Sequence, residues 1–286
     1  MERTFFAFRY LITKNSSQYD LFGEEINKEQ LVKEVLNNLK EAKKITWDNS
    51  DSKYIFTGID TYENLYFLKF ARESNNFINE EVENDIVRRG ITEPKFVYLI
   101  IDQIHQIVLI ESNKSVFANT LTVSKLLKYY LNEKINSKSY IINIFPLATP
   151  DKFWNVVNNA ELIYDIKLEL NAPNMAFFGK KKAQQILKII HNETNNDELD
   201  ISFKNSKGEL NVDENGLGKF IDYIREVGGQ YMMKFKIIAN EKFRYFKSSD
   251  DKFSTNLDIS DNFSSTESKE YVKDKIEKIS TLKTRE

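Results

Sequence analysis

An apolar side chain occupies every second position in the stretch Ala160-Glu161-Leu162-Ile163-Tyr164-Asp165-Ile166-Lys167-Leu168-Glu169-Leu170. Successive side chains of a β-strand point to opposite faces of its sheet, so a period of two indicates one buried and one exposed face. The stretch therefore predicts a long, half-buried strand, whose inward set would be Leu162, Tyr164, Ile166, Leu168 and Leu170.

Helical stripes and further strands lie on both sides of this stretch. Before it, Phe96 to Ile101 and Gln106 to Ile110 predict a β-hairpin, and the apolar spacing that begins at Val123 predicts a helix. After it, Tyr231 to Ala239 and Lys242 to Lys247 predict a final hairpin. Because many strands are joined as hairpins, a purely parallel sheet is disfavoured. We expect an α+β fold of mixed, largely antiparallel sheets with flanking helices.

The first third of the chain carries the same two kinds of pattern. Thr4 to Thr13 predicts an aromatic-rich strand, and Leu31, Val35 and Leu39 lie on one face of a predicted amphipathic helix. The acidic stretch Asn76 to Arg89 predicts another helix.

Breaks in these patterns suggest the domain organisation. Gly90 and Pro94 interrupt the chain, so we expect an N-terminal α+β domain over residues 1–93 and a second α+β domain over residues 94–247. Residues 248–286 begin with a segment rich in Ser, Asp and Asn, which predicts a flexible linker followed by a possible terminal helix.

The composition indicates the cellular compartment. The chain has no cysteine, which excludes disulfides, thiolate catalysis and Cys-ligated zinc. Arg9 interrupts the apolar run near the N-terminus, so that run does not fit a secretory signal. No stretch approaches the roughly 20 apolar residues that span a bilayer. We expect a cytoplasmic protein.

Recognisable catalytic motifs are missing. No P-loop, dinucleotide-binding glycine motif or nucleophile-elbow motif occurs, and the two histidines, His105 and His191, have no second ligand nearby in sequence. No cofactor, metal ligand or catalytic residue is predicted, which favours binding over catalysis. One enzymatic alternative remains: Asp102 and Glu111 end neighbouring predicted strands with Lys114 close by, which are the residue types of a magnesium nuclease.

Positive charge is concentrated in the middle of the chain. Residues 1–93 contain 13 Lys and Arg against 17 Asp and Glu, residues 94–192 contain 12 against 7, and residues 193–286 contain 16 against 19. The net charges of the three blocks are therefore −4, +5 and −3, and they sum to the overall −2. A protein that is acidic overall can still bind a polyanion when one face is basic.

The sharpest basic motif follows the stretch Asn174-Met175-Ala176-Phe177-Phe178-Gly179. Lys180, Lys181 and Lys182 begin a predicted helix there, and Lys188 lies further along it. Backbone N–H groups at a helix start, together with lysine amines, suit a phosphate. The alternative interpretation is a solvated loop whose lysines only maintain solubility.

The final hairpin is the second basic candidate. Lys234 and Lys236 share one face of their strand, and Lys242 and Arg244 share one face of the next. With Tyr231, Tyr245 and Phe246 nearby, these cations would suit a phosphate backbone. The alternative interpretation is an exposed sheet face, or an edge strand protected by charge.

The order of elements from Pro94 to Pro173 resembles a known pattern. It consists of a hairpin, a helix and a strand that closes in Ile144-Phe145-Pro146-Leu147, followed by a helix that opens with Thr149-Pro150-Asp151-Lys152 and the long strand Ile163 to Leu170. This order resembles the RexA family of the lambdoid prophage exclusion system, and the wider class of anti-phage proteins that includes the Kiwa component KwaB. The aromatic strand Phe5 to Tyr10 is similar to the start of RexA.

The resemblance implies a homodimeric, two-domain DNA-binding protein of phage defence or abortive infection, paired with a membrane protein encoded nearby. The leading hypothesis is thus a sensor that binds duplex or single-stranded DNA, mainly through phosphates and with weak sequence specificity. The first alternative is a protein-interaction module of a defence complex that uses the C-terminal helix and acidic surfaces. The second is the magnesium nuclease.

Overall fold

The computed structural model describes residues 2–14, 28–37, 43–46, 53–82, 85–135, 140–171, 190, 193–194, 198–259 and 263–280. The strands are β1 (Glu2–Lys14), β2 (Lys43–Thr46), β3 (Lys53–Tyr62), β4 (Leu65–Val82), β5 (Asp85–Asp102), β6 (Ile107–Glu111), β7 (Tyr140–Pro146), β8 (Leu162–Asn171), β9 (Glu198–Lys204), β10 (Gly229–Lys236), β11 (Arg244–Lys247) and β12 (Ser254–Asp258). The helices are α1 (Lys28–Asn37), α2 (Thr120–Lys134), α3 (Pro150–Asn159), α4 (Gly218–Glu226) and α5 (Thr266–Ser280).

The larger sheet has eight strands. Seven follow the order β12-β1-β6-β5-β4-β3-β2, and β7 pairs with the second half of β1, which is long enough to hold different neighbours at its two ends. Every strand pair of this sheet within the described residues is antiparallel. The prediction of an α+β fold with largely antiparallel sheets is confirmed.

Helices cover both faces of the larger sheet. On one face, Val35 of α1 and Leu127 of α2 join the core that contains Phe56 and Phe70. On the other face, Ile276 of α5 packs in the core that holds the sheet's remaining apolar side chains. Burial on both sides explains why the central strands β1, β5 and β6 contain continuous apolar runs instead of alternating ones.

The smaller sheet has the order β11-β10-β8-β9 and is also antiparallel. Its inner face contributes Ile166, Leu168 and Met233 to a core completed by α3 and α4. The alternate side chains of the same strands point away from these helices. This sheet therefore has one buried face and one outer face, as the alternation in β8 predicts.

The predicted helix over Asn76 to Arg89 is wrong. β4 and β5 stay in register from Leu65↔Asp102 to Val82↔Asp85, so these residues form a two-stranded ribbon beyond the buried part of the sheet. β-branched residues such as Val82, Ile86 and Val87 favour strands, and the ribbon continues a pairing already fixed by the sheet core. The acidic composition that suggested a helix only reflects exposure on both faces.

The expected domain limits do not coincide with the sheets. Residues 93 and 94 both lie inside β5, so strands from either side of that limit pair within the larger sheet. The terminal helix is present as α5, with Val272, Ile276 and Ile279 buried. Part of the expected linker is structured as well, because β12 pairs with β1. The number of domains stays a prediction.

Candidate nucleic-acid interface

The outer face of the smaller sheet carries the lysines of the predicted last hairpin. Met233 and Phe235 of β10 are buried, so Lys234 and Lys236, at the alternate positions of the strand, point outward. The strand register places Lys234 opposite Asp165 of β8 on one side and Tyr245 of β11 on the other. Four side chains thus form one cross-strand row: Lys204, Asp165, Lys234 and Tyr245.

A β-bulge adds a residue to this face. The register of β10 with β8 jumps from Lys234↔Asp165 to Phe235↔Ile163, which leaves Tyr164 as the extra residue of β8. Ile163 is buried, whereas the Tyr164 ring lies 4.9 Å from the Phe243 ring in a T-shaped contact. The prediction that Tyr164 and Leu162 point inward with Ile166 is therefore wrong, because a bulge shifts the alternation by one residue and pairs Leu162 with the outward Lys236.

Phe243 organises the two lysines of β10. The Nζ atom of Lys234 lies 4.1 Å from the centroid of the Phe243 ring, and the Nζ atom of Lys236 lies 4.8 Å from the same centroid. Lys236 also donates a 2.8 Å hydrogen bond to the carbonyl oxygen of Ala239. Attraction between an ammonium group and an aromatic ring restricts long lysine side chains that would otherwise sample many rotamers. Two positive charges are thereby held around one partly exposed ring.

Together, these outward side chains belong to one surface of the smaller sheet, the cationic face. Lys247 of β11 also lies on this surface, because it pairs with Met232 of β10, which faces outward. The cationic face consists of four lysines and three aromatic residues on the outer side of the smaller sheet: Lys204, Lys234, Lys236, Lys247, Tyr164, Phe243 and Tyr245. Among the described residues, no carboxylate forms an ion pair with these four lysines.

A further lysine of the same outer face, Lys167, is paired with carboxylates. Lys167 of β8 lies 3.0 Å from a carboxylate oxygen of Glu169 and 3.2 Å from one of Asp200. The hydrogen bonds to Glu169 and then Asp200 raise the pKa of the Lys167 ammonium group. This triad has a net charge of −1. Among the described residues, the lysines of this outer face without an ion pair are therefore Lys204, Lys234, Lys236 and Lys247.

The structure separates the predicted residues of the last hairpin. Arg244 pairs with Phe235, so its side chain lies on the opposite side of the sheet from Lys234, and its Nη2 atom lies 3.0 Å from Glu241. Lys242 is exposed in the loop before β11. Of the aromatic residues expected near the cations, Tyr231 is buried in the core, whereas Tyr245 is exposed.

Sequence reasoning missed Lys204, Lys247, Tyr164 and Phe243. The alternation of Phe243 with Tyr245 could have placed the phenylalanine beside the tyrosine. The other three depend on the cross-strand register and on the bulge, which local pattern does not fix. The predicted phosphate site at Lys180, Lys181, Lys182 and Lys188 lies outside the described residues and stays a prediction.

The structure does not bring Asp102 and Glu111 together. Asp102 pairs with Ile107 at one end of β6 and Glu111 is the last residue at the other end, which corresponds to about 14 Å along the strand. In an antiparallel hairpin the ends of successive strands lie at opposite edges, which is why the two carboxylates diverge. Lys114 follows the far end of β6.

Each of these carboxylates has protein partners. Asp102 accepts hydrogen bonds from the backbone N–H groups of Ile104 and His105 and lies 2.8 Å from His105 Nδ1. Glu111 accepts from Arg3 Nη1 at 2.7 Å and from the backbone N–H of Tyr98 at 2.9 Å. Within the part of the chain that the structure describes, no group of three or more His, Asp or Glu side chains could hold a metal ion. Both carboxylates therefore stabilise the sheet.

No protein-family model matches the chain, and no curated protein is significantly similar to it. Among the helices of the described residues, none is both long and apolar enough to cross a membrane.

Proposed function

We propose that the protein binds DNA, mainly through the phosphate backbone, and that the cationic face is its binding surface. The observation that carries the proposal is the arrangement of Lys234 and Lys236 around Phe243, at 4.1 and 4.8 Å from its ring centroid. Phosphate contacts from lysine position a protein on nucleic acid and carry no sequence information by themselves. Binding is therefore weakly specific for sequence.

The distribution of charge supports a polyanion as the ligand. The four lysines of the cationic face come from three of the four strands of the smaller sheet, β9, β10 and β11, and the described residues give them no ion-pair partners. Asp165 lies in the same row between Lys204 and Lys234, where it reduces the local potential without cancelling it. Charges that only protect a sheet edge are needed on the edge strands β9 and β11, which carry Lys204 and Lys247. Lys234 and Lys236 lie on β10, which is an inner strand, so edge protection does not explain them.

The biological setting is a further part of the proposal. The resemblance to RexA and to the class that contains KwaB supports a DNA-binding sensor of phage defence, acting with a membrane protein encoded nearby. Genetic deletion in the native host tests this setting: loss of the gene is expected to raise phage yield. An unchanged yield across a diverse phage panel would contradict it.

A binding titration tests the interface itself. Fluorescence anisotropy of a labelled DNA at low salt is expected to show binding by the wild type and a loss of at least tenfold in affinity for Lys234→Glu with Lys236→Glu. Lys278→Glu is the matched control, because Lys278 is an exposed lysine on α5, away from the smaller sheet. Equal affinity of the double variant and the wild type would contradict the assignment of this surface.

Protein association is a second candidate, favoured by the ribbon of β4 and β5. Its exposed apolar side chains lie on both faces: Phe77 and Ile86, which are 61% and 73% exposed, on one face, and Val82 and Val87 on the other. Residues 73–93 contain six carboxylates and two arginines, which disfavours nucleic acid as the partner of the ribbon. A second copy of this chain is the proposed partner, and its test is described in the Discussion. The C-terminal helix is a weaker candidate, because its apolar stripe is already buried against the sheet.

A further inference from the structure

Tyr245 is the one aromatic residue of the cationic face without a ring contact or hydrogen bond to the other described residues. Its side chain is 57% exposed, and the register places it directly beside Lys234. By contrast, Phe243 contacts Tyr164 and two ammonium groups. An exposed aromatic ring next to an organised cation is the combination that binds a base and its phosphate together.

The width of the sheet argues against a duplex as the ligand of this ring. Four strands span about 14 Å between the outer strand axes before side chains are added. The major groove of B-form DNA is only about 12 Å wide, so a face of this size cannot enter it. A duplex would touch the cationic face only through phosphates, and its stacked bases would leave Tyr245 without a partner. In a single strand the flat faces of the bases are accessible.

We propose that the cationic face binds single-stranded nucleic acid, with a base stacked on Tyr245 and the adjoining phosphates bound by Lys234 and Lys236. This inference rests on the proposed function and names its substrate class. Phe243 acts as a positioning residue, because it holds the two ammonium groups and has less free ring surface than Tyr245. Stacking on one tyrosine accepts any base, which agrees with weak sequence specificity.

The test compares probes that share phosphates but differ in their bases. The probes are an oligothymidine of about 20 nucleotides, an abasic oligomer and a duplex of the same length, and an oligouridine that separates DNA from RNA. The wild type is expected to bind oligothymidine more tightly than the abasic oligomer. Tyr245→Ala is expected to weaken binding to oligothymidine about tenfold and to leave the affinity for the abasic oligomer unchanged. Tyr245→Phe, which keeps the ring, is expected to restore wild-type affinity.

The outcomes distinguish this inference from the proposed function. Tyr271→Ala is the control, because Tyr271 is another partly exposed tyrosine, on α5. If Tyr245→Ala binds every probe as the wild type does while Lys234→Glu weakens all of them, stacking is overturned and DNA binding stands. An equal loss on the abasic oligomer would also overturn stacking. If the wild type binds no probe at low salt, both proposals are overturned.

Discussion

The Nζ atom of Lys234 lies 4.1 Å from the centroid of the Phe243 ring, although the two residues are on different arms of the last hairpin. The ring fixes the position of a charge that would otherwise move freely in solvent. We therefore expect Phe243→Ala to weaken DNA binding although phenylalanine forms no bond to phosphate. An exposed cation–π contact contributes about 0.5–1 kcal/mol, which corresponds to a loss of roughly two- to fivefold.

A matched control is available for this prediction. Arg88 lies 4.1 Å from the ring centroid of Phe77 on the ribbon, which is the same kind of contact on a different surface. Anisotropy titrations of Phe77→Ala are expected to give wild-type affinity. A similar loss in both variants would show that the effect is not specific to the cationic face.

Gly229 at the start of β10 is expected to be intolerant of any side chain. Its φ of +137° is unfavourable for other residues, and a Cβ atom there would lie 2.4 Å from the carbonyl oxygen of Glu169. Gly229→Ala should lower the free energy of unfolding by about 2 kcal/mol or more, measured by urea denaturation. At Gly90 an added Cβ would meet only the Phe77 ring, at 3.7 Å, so Gly90→Ala serves as the control and should be nearly neutral.

Alkaline pH is expected to unfold the protein. Burial raises the pKa of Tyr10, Tyr223 and Tyr231 above the ordinary value of 10.0. A tyrosine whose pKa is raised in the folded state contributes stability that is fully present below the unfolded-state pKa and is lost as the pH rises above it. Each such residue should lower the unfolding free energy by about 1.4 kcal/mol per pH unit above pH 10. The absorbance change of the last tyrosines to ionise and the change in circular dichroism should occur together, and full ionisation without unfolding would contradict the prediction.

The ribbon is expected to mediate self-association. Val82→Thr, Ile86→Thr and Val87→Thr together remove exposed apolar surface while retaining β-branched side chains. Light scattering after size-exclusion chromatography should show a dimer for the wild type and a monomer for the triple variant, with unchanged unfolding free energy. A wild type that is monomeric at all concentrations, or a dimer that survives the substitutions, would contradict this role.

The lysine triplet gives an independent prediction. Changing Lys180, Lys181 and Lys182 together to Glu is expected to abolish the gel shift of DNA at low salt if this segment also contacts phosphate. Unchanged binding would contradict a role for the triplet and leave the cationic face as the binding surface.

The sequence predicts side-chain direction well where a strand is regular. The alternation of Ile166, Leu168 and Leu170 correctly indicates the buried face of β8, because a regular strand has a strict period of two. Tyr164 does not follow this alternation, because the bulge opposite Lys234 and Phe235 shifts it by one residue. Bulges arise from pairing with another strand, so the strand's own sequence does not reveal them.

Long-range pairing limits the prediction of the site in the same way. Lys204 and Lys234 are 30 positions apart, and only the register of β9, β8 and β10 places them in one row. The ribbon was missed for a different reason. Exposed strands that carry charges on both faces have no apolar alternation, and an acidic stretch of this length also suits a solvated helix.

The most direct test is the salt dependence of DNA binding. The logarithm of the association constant is expected to fall linearly with the logarithm of salt concentration, and each lost phosphate contact should reduce the slope by about 0.7 for a single strand. Lys234→Glu with Lys236→Glu should therefore give a shallower slope than the wild type as well as weaker binding. An identical slope and affinity in the two proteins would contradict the assignment of the cationic face as the DNA-binding surface.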